Sequence, residues 1–139
     1  LNAAYLWGQL QAADQINDDR LATWHAYRDA FAPLAEGGLV ELPVVPEGCV
    51  HNAHMFYLKC RDLGQRQELI AHLKKRGVMA VFHYIPLHSS PAGLRFGRFD
   101  GEDLHTTRES ERLVRLPLYF GMSATDRDVV IRAVLDFFE

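Results

Sequence analysis

The 139 residues predict an α+β layer, in which helices cover a small, mostly antiparallel sheet. Three observations carry that expectation. A long apolar stripe at helical spacing opens the chain, short apolar stretches bounded by Pro and Gly follow it, and further helical patterns are interleaved with those stretches. With 48% hydrophobic, 24% charged and 11% aromatic residues, the composition is that of a soluble globular domain with its own core.

The first stripe runs Leu6, Leu10, Ala13, Ile16, Leu21, Trp24, Tyr27, Phe31, with Gln9, Asp14, Asp18, Arg20 and Asp29 on the remaining face. It reads as one amphipathic helix of about eight turns, ending before Pro33 and Gly37-Gly38. Val40-Glu41-Leu42, closed by Pro43, and the aromatic segment Ala53 to Cys60 read as strands. Gln65 to Arg76 has helical spacing and stops at Gly77, whose missing Cβ suits a left-handed cap. Val78 to Phe82 is short and apolar, the pattern of a buried strand. His83 to Asp103 has no periodicity and reads as a long irregular loop, a feature that in compact domains is usually functional. Leu104 to Val114 reads as a short helix and Leu116 to Phe120 as an extended segment. Ser123, with Asp126 three residues on, then caps a final helix whose apolar face is Val129, Val130, Ala133, Val134 and Phe137.

No repeat or linker divides residues 1–139, which read as a single domain. The first residue is Leu rather than Met, and no capping residue precedes the first helix, so the sequence reads as a piece of a longer chain. No apolar run reaches the roughly 20 residues needed to span a bilayer and no signal peptide is visible, so a cytoplasmic location without membrane contact is expected. Cys49 and Cys60 are too few for a disulfide framework or a four-cysteine zinc site. With net charge −3 and its arginines spread along the chain, the protein lacks the basic stripe that binds nucleic acid.

The densest chemical cluster is His83-Tyr84-Ile85-Pro86-Leu87-His88-Ser89-Ser90, directly after an expected strand. Imidazole exchanges protons near neutral pH and a phenol can donate to a phosphate or carbonyl oxygen. The competing reading is that Tyr84 packs on the sheet while the two histidines cap backbone carbonyls. His51-x-x-His54 with His83 and His88 could be counted as metal ligands, but residues three apart on a strand point to opposite faces, and no metal is expected. His25 and His72 fall in helices beside charged residues and read as solvent-facing. Glu109, Glu111, Arg108 and Arg112 read as pairs on a helix surface. Lys59, Lys74 and Lys75 do not look like desolvated Schiff-base amines.

Several segments resemble the sugar aminotransferases of the DegT/DnrJ/EryC1/StrS type. They are Ala3-Ala4 with Gln9-Leu10 and Asn17-Asp18-Asp19-Arg20; Asn52-Ala53-His54-Met55-Phe56-Tyr57; Val81-Phe82-His83-Tyr84-Ile85-Pro86-Leu87-His88; and Glu109-Ser110-Glu111-Arg112 leading to Leu116-Pro117-Leu118-Tyr119. The resemblance implies the small C-terminal domain of a fold-type I pyridoxal-phosphate enzyme. In such an enzyme an N-terminal large domain, absent from these residues, carries the catalytic lysine. It further implies a homodimer that moves an amino group from glutamate to the C4 ketone of a dTDP-6-deoxyhexose, with the isolated piece inactive and anchoring no cofactor. Tyr84 is then the hydroxyl that meets cofactor or sugar nucleotide, His83 and His88 shape the same wall, and His54 helps position the loop. Two alternatives remain open at this point: a free-standing α+β binding or regulatory module with a His-rich ligand loop, and a purely structural piece whose first helix is a dimer interface.

Overall fold

The computed structural model describes residues 1–139. Its helices are α1 (Asn2–Gln11), α2 (Ala13–Glu36), α3 (Leu63–Lys75), α4 (Pro91–Phe96), α5 (Thr106–Arg112) and α6 (Ala124–Phe138). Three strands, β1 (Phe56–Lys59), β2 (Val81–Phe82) and β3 (Leu113–Leu116), form one antiparallel sheet in the order β1-β3-β2. Phe56 lies opposite Leu116, Lys59 opposite Leu113, Val81 opposite Arg115 and Phe82 opposite Val114. The expected α+β layer with a small antiparallel sheet is what forms.

Alternation builds the inner face. Phe56 and Leu58 of β1 and Val114 and Leu116 of β3 are buried, while the residues between them are partly open. Trp24, Tyr27 and Phe31, spaced three and four apart on α2, meet that face, and the Phe56 ring lies 5.3–6.1 Å from all three. Leu69 and Leu73 of α3 and Val130, Ala133 and Val134 of α6 complete the core. Tyr27 also donates its hydroxyl to the Pro117 carbonyl at 2.9 Å, tying α2 to the chain beyond β3.

The ends of α3 and α6 follow local chemistry. Ser123 accepts from the Asp126 amide at 3.0 Å and starts α6 as expected. Asp62 does the same for Gln65 at 2.9 Å, so α3 starts at Leu63 rather than Gln65. Gly77, at φ +76, closes α3 through Val78 N–H to Leu73 and its own N–H to Lys74, a Schellman arrangement.

Elsewhere the structure departs from expectation. The first helix is two helices, broken at Ala12 (φ −107, ψ 10), and no residue of α1 is buried. Pro33 does not end α2, because one turn from the terminus it forfeits a single ladder bond, and Gly37 N–H still reaches the Pro33 carbonyl. The strand at 40–42 shrinks to one bridge, Glu41 with Lys59, since Pro43 has no amide with which to extend it. Of Val78 to Phe82, only Val81–Phe82 pairs, as an exposed edge strand, with just Val78 and Ala80 buried. The helix expected to reach Val114 ends at Arg112, because Leu113 to Leu116 form the central strand; the extended segment therefore starts earlier than expected. The loop at 83–103 contains a 3₁₀ turn at Leu87–Ser89 and α4, which Ser90 caps by accepting from the Gly93 amide at 3.0 Å. A Cβ at Gly93 would lie 1.7 Å from the Leu87 carbonyl oxygen, so only glycine lets that turn close.

Candidate functional site

Strand β2 delivers His83–Pro86 to the surface, where the segment forms a ridge between two clefts. On the α3 side a cleft of about 300 Å³ is lined by Arg66, Gln67, Phe82, Ser89 and Glu111. On the α5 side another of about 400 Å³ is lined by His83, Leu87, Thr106, Glu109 and Leu113. Tyr84 belongs to both and is 68% exposed, so it does not pack on the sheet. The His83 ring meets it edge-on at 4.7 Å, and His83 Nδ1 is buried without a hydrogen-bond partner, as is Nε of Arg66 in the neighbouring cleft. A buried nitrogen left unpaired costs free energy until something pairs with it.

His88 is spoken for. Its Nε2 lies 2.8 Å from Asp103 and its ring 4.5 Å from Phe99. Asp103 also accepts from the Thr107 amide and hydroxyl, and these bonds, more than the neighbouring His88, hold its carboxyl below the usual carboxylate range. Of the three loop residues expected to share one wall, Tyr84 and His83 line the same cleft, while His88 is taken up by Asp103. His54 lies elsewhere. Because β1 enters beside Leu116 and β2 leaves beside Val114, His54 and His83 sit at opposite ends of β3. The His54 contacts are local: its amide meets Asn52 Oδ1 at 3.1 Å and its carbonyl accepts from Arg20. His51 Nδ1 accepts from the Ala53 amide, and no three His, Cys, Asp or Glu side chains converge in the geometry of a metal site. His25 is exposed, but His72 is not simply solvent-facing, since its Nε2 lies 3.0 Å from the Ala133 carbonyl, bridging α3 to α6.

Three residues that carry this geometry were not singled out as site residues from sequence. Arg20 reaches from α2 to the Ala53 and His54 carbonyls, fixing a turn in which Ala53 adopts φ +47. Ser110 of α5 donates to the Tyr84 carbonyl at 2.5 Å, and Arg66 donates to the Ser110 carbonyl at 3.1 Å. Arg20 and Ser110 fall in the segments quoted above for their resemblance and Arg66 does not, and the partners of all three are too distant in sequence for periodicity to reveal.

The acidic and basic residues of α5 are more than surface pairs. Glu109 meets Lys59 of β1 at 2.7 Å, and Arg112 binds Glu41 as well as the Cys60 carbonyl. Lys59, bonded chiefly to Glu109, is held above its ordinary pKa and so stays protonated, the opposite of what a nucleophilic amine needs. Lys74 and Lys75 are exposed at the end of α3. Held protonated by Glu109, Lys59 does not fit the covalent anchor of an aldehyde cofactor. Glu109 is drawn from 4.5 down to about 2, by Lys59 first, against the cost of its desolvation. Its folded-state value lies below the unfolded one, so its stabilisation is complete above about pH 4.5 and is lost as pH falls through about 2. The urea midpoint is therefore expected to fall between these values, and to fall less steeply in Glu109→Gln; identical acid limbs in the two proteins would contradict the assignment.

The same sheet and helices occur in solved aminotransferases. S. venezuelae DesV, in complex with a ketimine intermediate, superposes with TM-score 0.86 at 28% identity, covering 99% of this chain and 36% of that one. NtdA from Bacillus subtilis, with bound cofactor PMP, gives TM-score 0.74 at 25% identity over 88% of this chain and 28% of that one. TlmJ from Streptoalloteichus hindustanus, at 23% identity and TM-score 0.82, covers 94% of this chain and 34% of its own, and shares the fold. The chain thus spans about a third of the length of these proteins. It belongs to the DegT/DnrJ/EryC1/StrS aminotransferase family, which it matches over residues 1–135.

Proposed function

We propose that this chain is the smaller, C-terminal domain of a pyridoxal-phosphate-dependent nucleotide-sugar aminotransferase, closing the active site of a large domain N-terminal to it. The observation that carries this reading is the family match over residues 1–135, in a chain about a third as long as the aminotransferases it superposes on. The enzyme is a cytoplasmic homodimer in which the cofactor carries an amino group from glutamate to the C4 ketone of a dTDP-4-keto-6-deoxyhexose. Similarity to the dTDP-4-amino-4,6-dideoxygalactose transaminases in the His83–Ser89 loop, Pro91-Ala92-Gly93, Phe96-Gly97 and Gly101-Glu102-Asp103 supports that sugar. In this chain the Tyr84 hydroxyl donates to an oxygen of cofactor or sugar nucleotide, and His83 shapes the wall beside it.

Exposed apolar side chains on α1, namely Tyr5, Leu6, Trp7 and Leu10, are consistent with a face covered by that large domain or a partner subunit. Mixed with pyridoxal phosphate, the 139-residue chain is expected to form no stoichiometric lysine adduct by absorbance or intact mass. Expressed in frame with the coding sequence upstream of Leu1, it is expected to bind the cofactor and aminate the keto-sugar. A stable adduct on Lys59, Lys74 or Lys75 of the isolated chain overturns the division of labour proposed.

A further inference from the structure

One short helix holds the loop that carries Tyr84 at two points. At the start of the loop, Ser110 donates to the Tyr84 carbonyl at 2.5 Å. Four residues on, His88 pairs with Asp103, which itself accepts from the amide and hydroxyl of Thr107 in the first turn of α5. Ser110 is fixed in its turn, because its carbonyl accepts from Arg66, whose guanidinium lies 5.1 Å over the ring of Phe82, two residues before Tyr84. The helix is pinned to the sheet by Glu109–Lys59 and by Arg112. The Tyr84 side chain, by contrast, is largely open, with the edge-on His83 ring as its aromatic neighbour. A phenol with so little packing is aimed mainly by its own backbone, since only two side-chain torsions separate its ring from Cα.

We propose that Ser110 is the positioning residue for Tyr84: its hydroxyl grips the Tyr84 carbonyl and thereby sets the direction in which the phenol enters the cleft, while Asp103 holds the loop four residues further on through His88. This rests on Tyr84 being the ligand-facing hydroxyl of the proposed enzyme, and adds the device that aims it. Misplacing a reacting contact by about 1 Å can cost as much as 100-fold in rate, so a single backbone grip has leverage.

The test has two arms. In the 139-residue chain, Ser110→Ala is expected to lower the amide order parameters of Tyr84, Ile85 and Leu87 from the rigid range, about 0.85, to below about 0.6. Those of Leu58 and Val114 should hold, and Ser110→Thr, which keeps the hydroxyl, should restore the loop. Unchanged loop order in Ser110→Ala overturns the clamp. In the full-length enzyme, Ser110→Ala is expected to lower kcat/KM about tenfold, but less than about twofold when Tyr84→Phe is already present, because nothing is then left to aim. An equal loss in both backgrounds overturns the proposal. A loosened loop beside a wild-type enzyme that transfers no amino group overturns the functional reading and leaves the clamp itself established.

Discussion

Replacing Phe56 by Ala is expected to destabilise the chain by about 3–5 kcal/mol. Phe56 is fully buried, at the meeting point of three aromatic rings from α2, and its strand partner Leu116 is 5% exposed. Truncation removes the transfer free energy of the ring and leaves a cavity walled by Trp24, Tyr27 and Phe31. Large aromatic side chains fixed along a packed helix cannot easily collapse into it. Against a total stability of roughly 5–15 kcal/mol for a domain of this kind, the loss is a large fraction. The measurement is the urea midpoint, expected to fall by about 2 M with the slope unchanged. Phe56→Leu, which refills much of the volume, should recover more than half. A loss below about 1 kcal/mol in the alanine variant would mean that the α2 rings do not depend on Phe56.

Arg112→Ala is expected to cost about 2 kcal/mol, and Arg112→Lys to recover less than half of it. The guanidinium is 17% exposed and joins three parts of the chain: Nε donates to the Cys60 carbonyl at 2.7 Å, Nη2 to Glu41, and Nη1 lies 3.4 Å from Glu109. A lysine ammonium is a single compact charge and cannot span acceptors set by a planar fork. A second readout separates this loss from general loosening. Arg112 is the first cause of the lowered Glu41 pKa, so in the alanine variant the Glu41 carboxyl should titrate closer to its ordinary 4.5 by NMR. A Glu41 titration identical to wild type would place the lost energy elsewhere.

What the sequence made legible was whatever is encoded within a few residues. Ser123 with Asp126 and the stop at Gly77 are such signals, and both ends form as read. Asp62 and Gln65 offer the same kind of cap signature, which places the start of α3 two residues before the apolar spacing does. The misplaced strands have a different cause. Whether Val40–Leu42 or Val78–Ala80 pairs depends on a partner strand, and Pro43 on one side and Pro117 on the other deny the ladder a donor. Val114 has a helix-compatible neighbourhood in sequence, but the centre of the sheet claims it.

The candidate site divides in the same way. Tyr84 is legible as an exposed group on a loop after a strand, whereas the bonds that place it come from Ser110 and Arg66 on separate helices. The resemblance assigned His54 to position the loop that begins at His83; the antiparallel register places these two histidines at opposite ends of β3.

The strand order has a consequence in time. The strand at the centre of the sheet, Leu113–Leu116, is the last of the three to be synthesised, and β1 and β2 bond to it but not to each other. At roughly 5–20 residues per second on the ribosome, β1 waits several seconds with no ladder partner before β3 emerges. During that interval the one bridge open to β1 is that of Lys59 with Glu41, and the edge that will meet β3 stays unpaired. Assembly of the sheet is therefore a late, long-range event, slowed by the closure of large loops.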